Sequence, residues 1–262
     1  MDYVNTLGYS LYFIIFLMGL SLGSFLNSWI WRHWENIRIV SGRSICIHCR
    51  RQLSWYENIP VISYIFLGGK CRTCGKKIPW FYTALEIFMA CAFVFIAWYR
   101  LNFGHFTPLL FSRDIFFITI LTVIFVFDAL HKVILPYIVW PGAVVGFLFN
   151  FFIFHFSLTS MLLGALAAGG FFLAQYLISK GRWIGGGDVR LGVMMGVWVG
   201  WPAVLVALFI AYVFGGSVAA VLLIAGRKKF NSQVPFGTFL AFGTVIAIYF
   251  GDEIVQWYLS LI

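Results

Sequence analysis

Apolar stretches of about twenty residues recur along the chain between short charged segments, and nothing else in the sequence limits the fold so tightly. Residues 135–179 and 203–225 contain no Asp, Glu, Lys or Arg. Stretches of this length cross about 30 Å of hydrocarbon as helix. Backbone groups in a bilayer must satisfy one another, so such a chain folds as packed helices. With 62% hydrophobic and only 10% charged residues, a soluble domain is excluded. The expected fold is an all-α polytopic membrane protein of about eight transmembrane helices. They fall near 9–31, 81–99, 112–130, 135–156, 158–179, 189–201, 203–225 and 235–259. The first run ends in Trp-rich basic sequence, Trp29 to Trp34, with no small-residue cleavage site, and reads as a retained helix. The sixth is short and carries Gly192, Gly196 and Gly200 at the spacing of closely packed helices.

The net charge of +9 would suit a nucleic-acid partner, but its placement points elsewhere. Arg32, Arg38, Arg43, Arg50, Arg51, Lys70, Arg72, Lys76 and Lys77 share the loop after the first run. Lys132, Lys180, Arg182, Arg190, Arg227, Lys228 and Lys229 fall in or beside alternate later loops. Only Arg100 and Arg113 fall on the other side, with Asp2, Asp114, Asp252 and Glu253. This positive-inside bias puts the basic loops in the cytoplasm and both termini outside. The partner implied by the charge is membrane lipid, not nucleic acid.

The chain thus divides into a first helix (1–31), a cytoplasmic loop (32–80) and a bundle (81–262). The loop holds Cys46 and Cys49, then Cys71 and Cys74, two C-x-x-C pairs separated by 21 residues. That pattern fits a four-thiolate structural zinc site, each pair turning two sulfurs toward one tetrahedral metal. Disulfides are the alternative, and a cytoplasmic loop disfavours them. The loop is too small to bury much core, and a metal would supply folding energy. His48 lies within the first pair and is not needed as a ligand. Cys91, in an apolar run, reads as packing.

Five acids fall on the cytoplasmic side or within helices: Glu35, Glu57, Glu86, Asp128 and Asp188. Glu35 and Glu57 read as solvated loop residues. Glu86 lies about one turn inside the second helix. Asp128 ends the third and Asp188 opens the sixth, behind Gly185, Gly186 and Gly187. Ionisable groups at membrane depth cost free energy and usually persist for function. The topology brings Asp128 and Asp188 to one face, and the glycines let backbone approach closely and take positive φ. Two neighbouring carboxylates cannot both ionise easily, so one keeps its proton while the other acts as base. Such a pair hydrolyses peptides by activating water and protonating the leaving amine. Taken alone, Asp188 also reads as a helix-start acid favoured by the dipole. A transporter using these acids for ions or protons is the rival reading, although its acids would sit nearer the midplane on broken helices.

The residues resemble the type IV prepilin peptidases over nearly the full length. "GLSLGSFLNSWIWR" (19–32) is similar to the family's first-helix motif. The segment 46–78 resembles its cytoplasmic loop, with both cysteine pairs, Trp55, the run Glu57-Asn58-Ile59-Pro60, and Gly69-Lys70. "VPFGTFLAFG" (234–243) resembles the last-helix signature, and "GGGD" (185–188) fits a G-x-G-D motif. The resemblance implies a membrane-embedded aspartic endopeptidase that cleaves the leader of prepilin or pseudopilin precursors after a glycine. It makes Asp128 and Asp188 catalytic, with Gly185, Gly187, Glu86, Gly69 and Lys70 supporting. It also implies N-methylation of the new N-terminus by S-adenosylmethionine, for which the sequence carries no Gly-rich Rossmann fingerprint. The implied location is the inner membrane, with the site at the cytoplasmic face. The sequence departs from the family pattern at three places. Leu135 and Pro136 stand at its usual Pro-Asp, "WFYTALE" replaces an Arg-Tyr-Pro run before the glutamate, and Arg190 stands one residue beyond a frequent lysine.

Overall fold

The computed structural model describes residues 2–38, 42–103, 106–226 and 234–261. The basic residues Arg227, Lys228 and Lys229 lie outside the described residues. Helix α1 spans Asp2–Trp34, followed by a 3-10 turn at Trp55–Asn58 and the short α2 at Ile62–Phe66. Then come α3 (Trp80–Asn102), α4 (Pro108–His131) and α5 (Pro136–Leu148), which runs into a π-helical turn at Phe149–Ile153. They are followed by α6 (Leu158–Ser179), α7 (Gly186–Val199), α8 (Val204–Ile224) and α9 (Phe236–Leu259). Among the described residues there is no strand, only two isolated bridges in the loop.

Seven of these helices are long and apolar enough to cross a membrane. The eighth expected span is α7, whose 14 residues reach only about 21 Å. It stops at Gly200, where φ is +77°, and it is walled in by its neighbours. Met194, Met195 and Leu191 are fully buried, so its backbone is shielded by protein along its length.

The chain forms two compact units, Met1–Ile115 and Phe116–Ile262. In the first, α1 lies on α3 because its glycines admit backbone. A Cβ at Gly19 would lie 2.5 Å from Ala90 Cα, and one at Gly23 would lie 2.7 Å from Glu86 Cα. One turn further, Asn27 Nδ2 donates to the Tyr82 carbonyl at 2.8 Å. Arg32 fastens the start of the loop, its Nη2 donating to the Arg43 carbonyl at 2.6 Å.

In the second unit α7 is central, packed by α5, α6 and α9. A Cβ on Gly196 would lie 2.2 Å from the backbone of Gly164, so these glycines are required for contact between α6 and α7. Trp198 Nε1 donates to the Gly142 carbonyl at 3.0 Å and stacks on Phe117 at 4.0 Å. The π-helical turn aims Asn150 inward, where Nδ2 donates to the Trp198 carbonyl at 2.9 Å and satisfies a carbonyl at the C-terminal end of α7. Pro136 is the first residue of α5, where a missing N–H is harmless. A helix-start role therefore accounts for proline at that departure from the family pattern.

Candidate functional site

The loop of the first unit folds as two copies of one small turn. Cys46 N–H donates to the Arg51 carbonyl, and Arg50 N–H returns to the Cys46 carbonyl, at 2.9 and 3.0 Å. Cys71 with Lys76, and Gly75 with Cys71, repeat the arrangement at 2.9 Å each. Arg50 and Gly75 occupy the same position and the same left-handed conformation, at φ +60° and +65°. The sulfurs of Cys46, Cys49, Cys71 and Cys74 converge to within 4.8 Å of one another, and together they could hold a metal ion. Backbone N–H groups of Cys74 and Thr73 point at the Cys71 sulfur and draw its thiol down to about 6. His48 turns away, with Nε2 3.2 Å from the Lys77 carbonyl oxygen. Cys91 is exposed on α3 and is not part of the packed interior expected of it.

Glu57 corrects the sequence reading. Far from being solvated, its side chain is 1% exposed and takes a bidentate pair from Arg51, at 2.6 and 3.0 Å. Ser54 N–H adds a third bond at 2.8 Å. The Arg51 guanidinium, helped by that N–H, holds the Glu57 carboxyl below its ordinary value. Glu35 is the exposed acid of the loop, paired with Arg50 at 2.8 Å. Glu86 is buried and accepts the Val61 N–H at 2.8 Å, fixing a β-branched residue at φ +61°. The run from Glu57 to Val61 is thus tied at one end to Arg51 and at the other to Glu86. Gly69, at φ +67°, lies against the Tyr64 ring and opens the second turn, where exposed Lys70 bridges to Lys77.

In the second unit Asp128 and Asp188 come together at the ends of three helices. Asp128 occupies the last turn of α4, Asp188 the first turn of α7, and the N-terminus of α9 meets Asp128. Both carboxylates are buried. Asp128 Oδ2 accepts the Thr238 N–H at 2.9 Å, with the Gly237 N–H as a second donor. Asp188 Oδ2 accepts the Gly185 N–H at 3.1 Å. One oxygen of each is therefore held by backbone at a helix start, where free N–H groups and the dipole favour an anion. The two are near enough for the charge on Asp128 to act on Asp188.

Close approach, not unusual φ, explains the glycines. Gly185 is extended, at φ −79° and ψ 154°, and Gly186 and Gly187 are helical. The expected positive φ occurs upstream, at Gly181 (φ +74°). A Cβ on Gly187 would lie 2.8 Å from Ile134, and one on Gly237 would lie 2.8 Å from the same side chain and 3.0 Å from Asp128 Oδ2. Ile134 is thus a wedge that α7 and α9 can close upon only through glycine. The roles of Thr238, Gly237 and Arg51 escape a residue-type reading. Gly237 at the start of α9 was the available signal, since a site built from backbone N–H groups needs no polar side chain.

The description "Bacterial Peptidase A24 N-terminal domain" fits residues 17–100, and "Type IV leader peptidase family" fits residues 115–220. The chain is 31% identical to a prepilin leader peptidase/N-methyltransferase of Bacillus subtilis, covering 95% of this chain and 98% of that protein. It is 29% identical to one of Aeromonas hydrophila, covering 95% and 94%. With one of Pseudomonas aeruginosa the identity is 27%, covering 99% and 97%. No solved structure matches the chain.

Proposed function

We propose, because the chain belongs to the type IV leader peptidase family, that it cleaves prepilin-like leaders with Asp128 and Asp188 and then methylates the new N-terminus. The observation that carries the reading is the pairing of these two buried carboxylates, each fastened by backbone N–H groups at a helix start. One member, ionised, takes a proton from water as the oxygen attacks the peptide carbonyl. The other, protonated, passes its proton to the leaving nitrogen. Fixed donors keep the oxygens in place, so little reorganisation accompanies the step. The substrate is the membrane-anchored N-terminal segment of a pilin-like precursor, met at the cytoplasmic face of the inner membrane. The basic residues cluster in alternate loops, and so on one side of the membrane, which supports that orientation.

Zinc fits the first unit, because four convergent cysteine thiols in paired turns form the donor set of a closed structural site. With all four positions filled by sulfur, the metal would hold the loop together and take no part in hydrolysis. S-adenosylmethionine, when bound, would supply an activated methyl group for the new amine. We assign it to the cavity of the first unit, where Ser24, Asn27, Tyr82 and Glu86 would offer polar groups to a cationic donor.

The test incubates membranes with a synthetic prepilin and reads the product by intact mass. Asp128→Asn and Asp188→Asn should each lower cleavage by about 10²- to 10⁴-fold while sparing methylation of a pre-cleaved substrate. Glu86→Gln should do the reverse. Substantial cleavage by Asp188→Asn returns that residue to a helix-start role.

A further inference from the structure

Tyr212 and Gln175 differ from several other polar side chains of the second unit. Asn150, Thr244 and Ser160 each donate to a backbone carbonyl of the protein. Gln175 and Tyr212 instead bond to each other, at 2.9 Å, from α6 and α8. Neither is buried, Tyr212 being 37% exposed. A primary amide carries two N–H donors and a carbonyl with two lone pairs, and one hydroxyl engages only part of that capacity. Unspent polar capacity among apolar helices is unfavourable, and where it persists it usually serves function.

The packing puts Gln175 about one turn beyond the level of Asp188. A Cβ on Gly164 of α6 would lie 2.6 Å from the Gly196 carbonyl, and one on Gly192 would lie 2.6 Å from Phe172. The same Cβ would lie 3.0 Å from the Ala168 carbonyl, so α6 and α7 run antiparallel, and the next turn along brings Phe172 beside Asp188. Gln175 follows within about 5 Å along the axis. Tyr212 approaches from the other side. Its ring meets Phe236 edge-on at 4.9 Å, and Phe236 immediately precedes the two N–H groups that hold Asp128. The charge of Asp188 reaches the Tyr212 hydroxyl.

Resting on the peptidase reading above, we propose that the Gln175 amide, oriented by the Tyr212 hydroxyl, binds substrate backbone beside Asp188. A peptide bond within a helix has its carbonyl engaged, so the segment around the scissile bond must unwind before water can attack. At membrane depth the freed N–H and C=O groups need new partners, since lipid offers none. A side-chain amide supplies both a donor and an acceptor, matching a peptide group. Gln175 is a positioning residue by this account, holding the unwound strand against the carboxylates.

The experiment measures cleavage of synthetic prepilin peptides in which single backbone amides within three residues of the scissile bond are replaced by esters. Gln175→Leu should lower kcat/KM by roughly ten- to a hundredfold, as expected for one hydrogen bond that bound substrate shields from solvent. Tyr212→Phe, which keeps the ring on Phe236, should lower it less. Neither should alter the pH profile or methylation of a pre-cleaved substrate, which report the carboxylates and the fold. At one ester position the wild type should lose the same factor, and Gln175→Leu should lose nothing further. Losses that multiply at every position, or a Gln175→Leu enzyme as active as wild type, would overturn the proposal while leaving the peptidase reading intact. Wild-type enzyme that cleaves no substrate would overturn that reading, and this proposal with it.

Discussion

The two units solve the same problem, holding a few polar groups in fixed geometry, by opposite means. In the loop of the first unit, four sulfurs converge within a segment that has little apolar interior, and turns and one buried ion pair align them. In the second unit, two carboxylates are held by helices packed so closely that glycine is required at the contacts. The first arrangement is that of a site that could hold a metal ion, whereas the second rests on packed backbone alone. A site that must position water for attack gains from the second solution, because its geometry is fixed by packed backbone. A loop held by a closed metal site has no open position for chemistry and serves as scaffold.

Removing the metal should produce the largest separation between the units. Binding of structural zinc is worth about 10–16 kcal/mol in small metal-folded peptides, so its loss should release the loop outright. In the double variant Cys46→Ser, Cys71→Ser, hydrogen exchange across 42–79 should become fast while the amides of α7 and α9 stay protected. Loss of protection in both units together would break the comparison. Metal analysis under reducing conditions should find about one zinc per chain in the unmodified protein.

A smaller effect is expected at the glycine contacts. Gly187→Val drives a branched side chain into Ile134, which a Cβ alone would approach to 2.8 Å. Overpacking of this kind costs typically 1–3 kcal/mol. The strain falls at the start of α7, so cleavage should drop more than thermal stability, and Ile134→Ala in the same chain should restore part of it. Gly186→Ala, with open space at its Cβ, should leave cleavage nearly unchanged.

The smallest effect concerns Glu57. Its folded value lies below the ordinary 4.5 because of Arg51. The pair therefore stabilises the loop fully above that ordinary value, and the contribution fades as pH falls through the lower folded value. Protection of the Leu53 and Ser54 amides should decline on acidification below about 4.5. With Glu57→Gln that part of the pH dependence should vanish. An unchanged pH response in Glu57→Gln would assign the acid sensitivity to the thiolates alone.

What could be read in advance follows the same division. Long apolar runs and C-x-x-C spacing are properties of residue type and distance along the chain, so the helices and the cysteine cluster were legible. Asp128 and Asp188 were legible as acids out of place, although 60 residues separate them. Glu57 was misread because its partner Arg51 belongs to a loop rich in cations, and sequence does not say which cation pairs. The glycines before Asp188 were half understood, since a steric need against Ile134 and a need for positive φ leave the same letter. The shortness of α7 as a helix enclosed by others, and the N–H groups of Gly237 and Thr238, come from tertiary packing alone.

Whether Asp128 and Asp188 act as one acid–base unit is tested most directly by a double-mutant comparison of cleavage. Rates of leader release would be measured for Asp128→Asn, Asp188→Asn and the double variant, at equal amounts of folded protein. If the pair is a unit, either single substitution removes nearly all the activity, and the double variant is no slower than the slower single one. Single losses that multiply in the double variant would contradict the account, because the two carboxylates would then contribute independently.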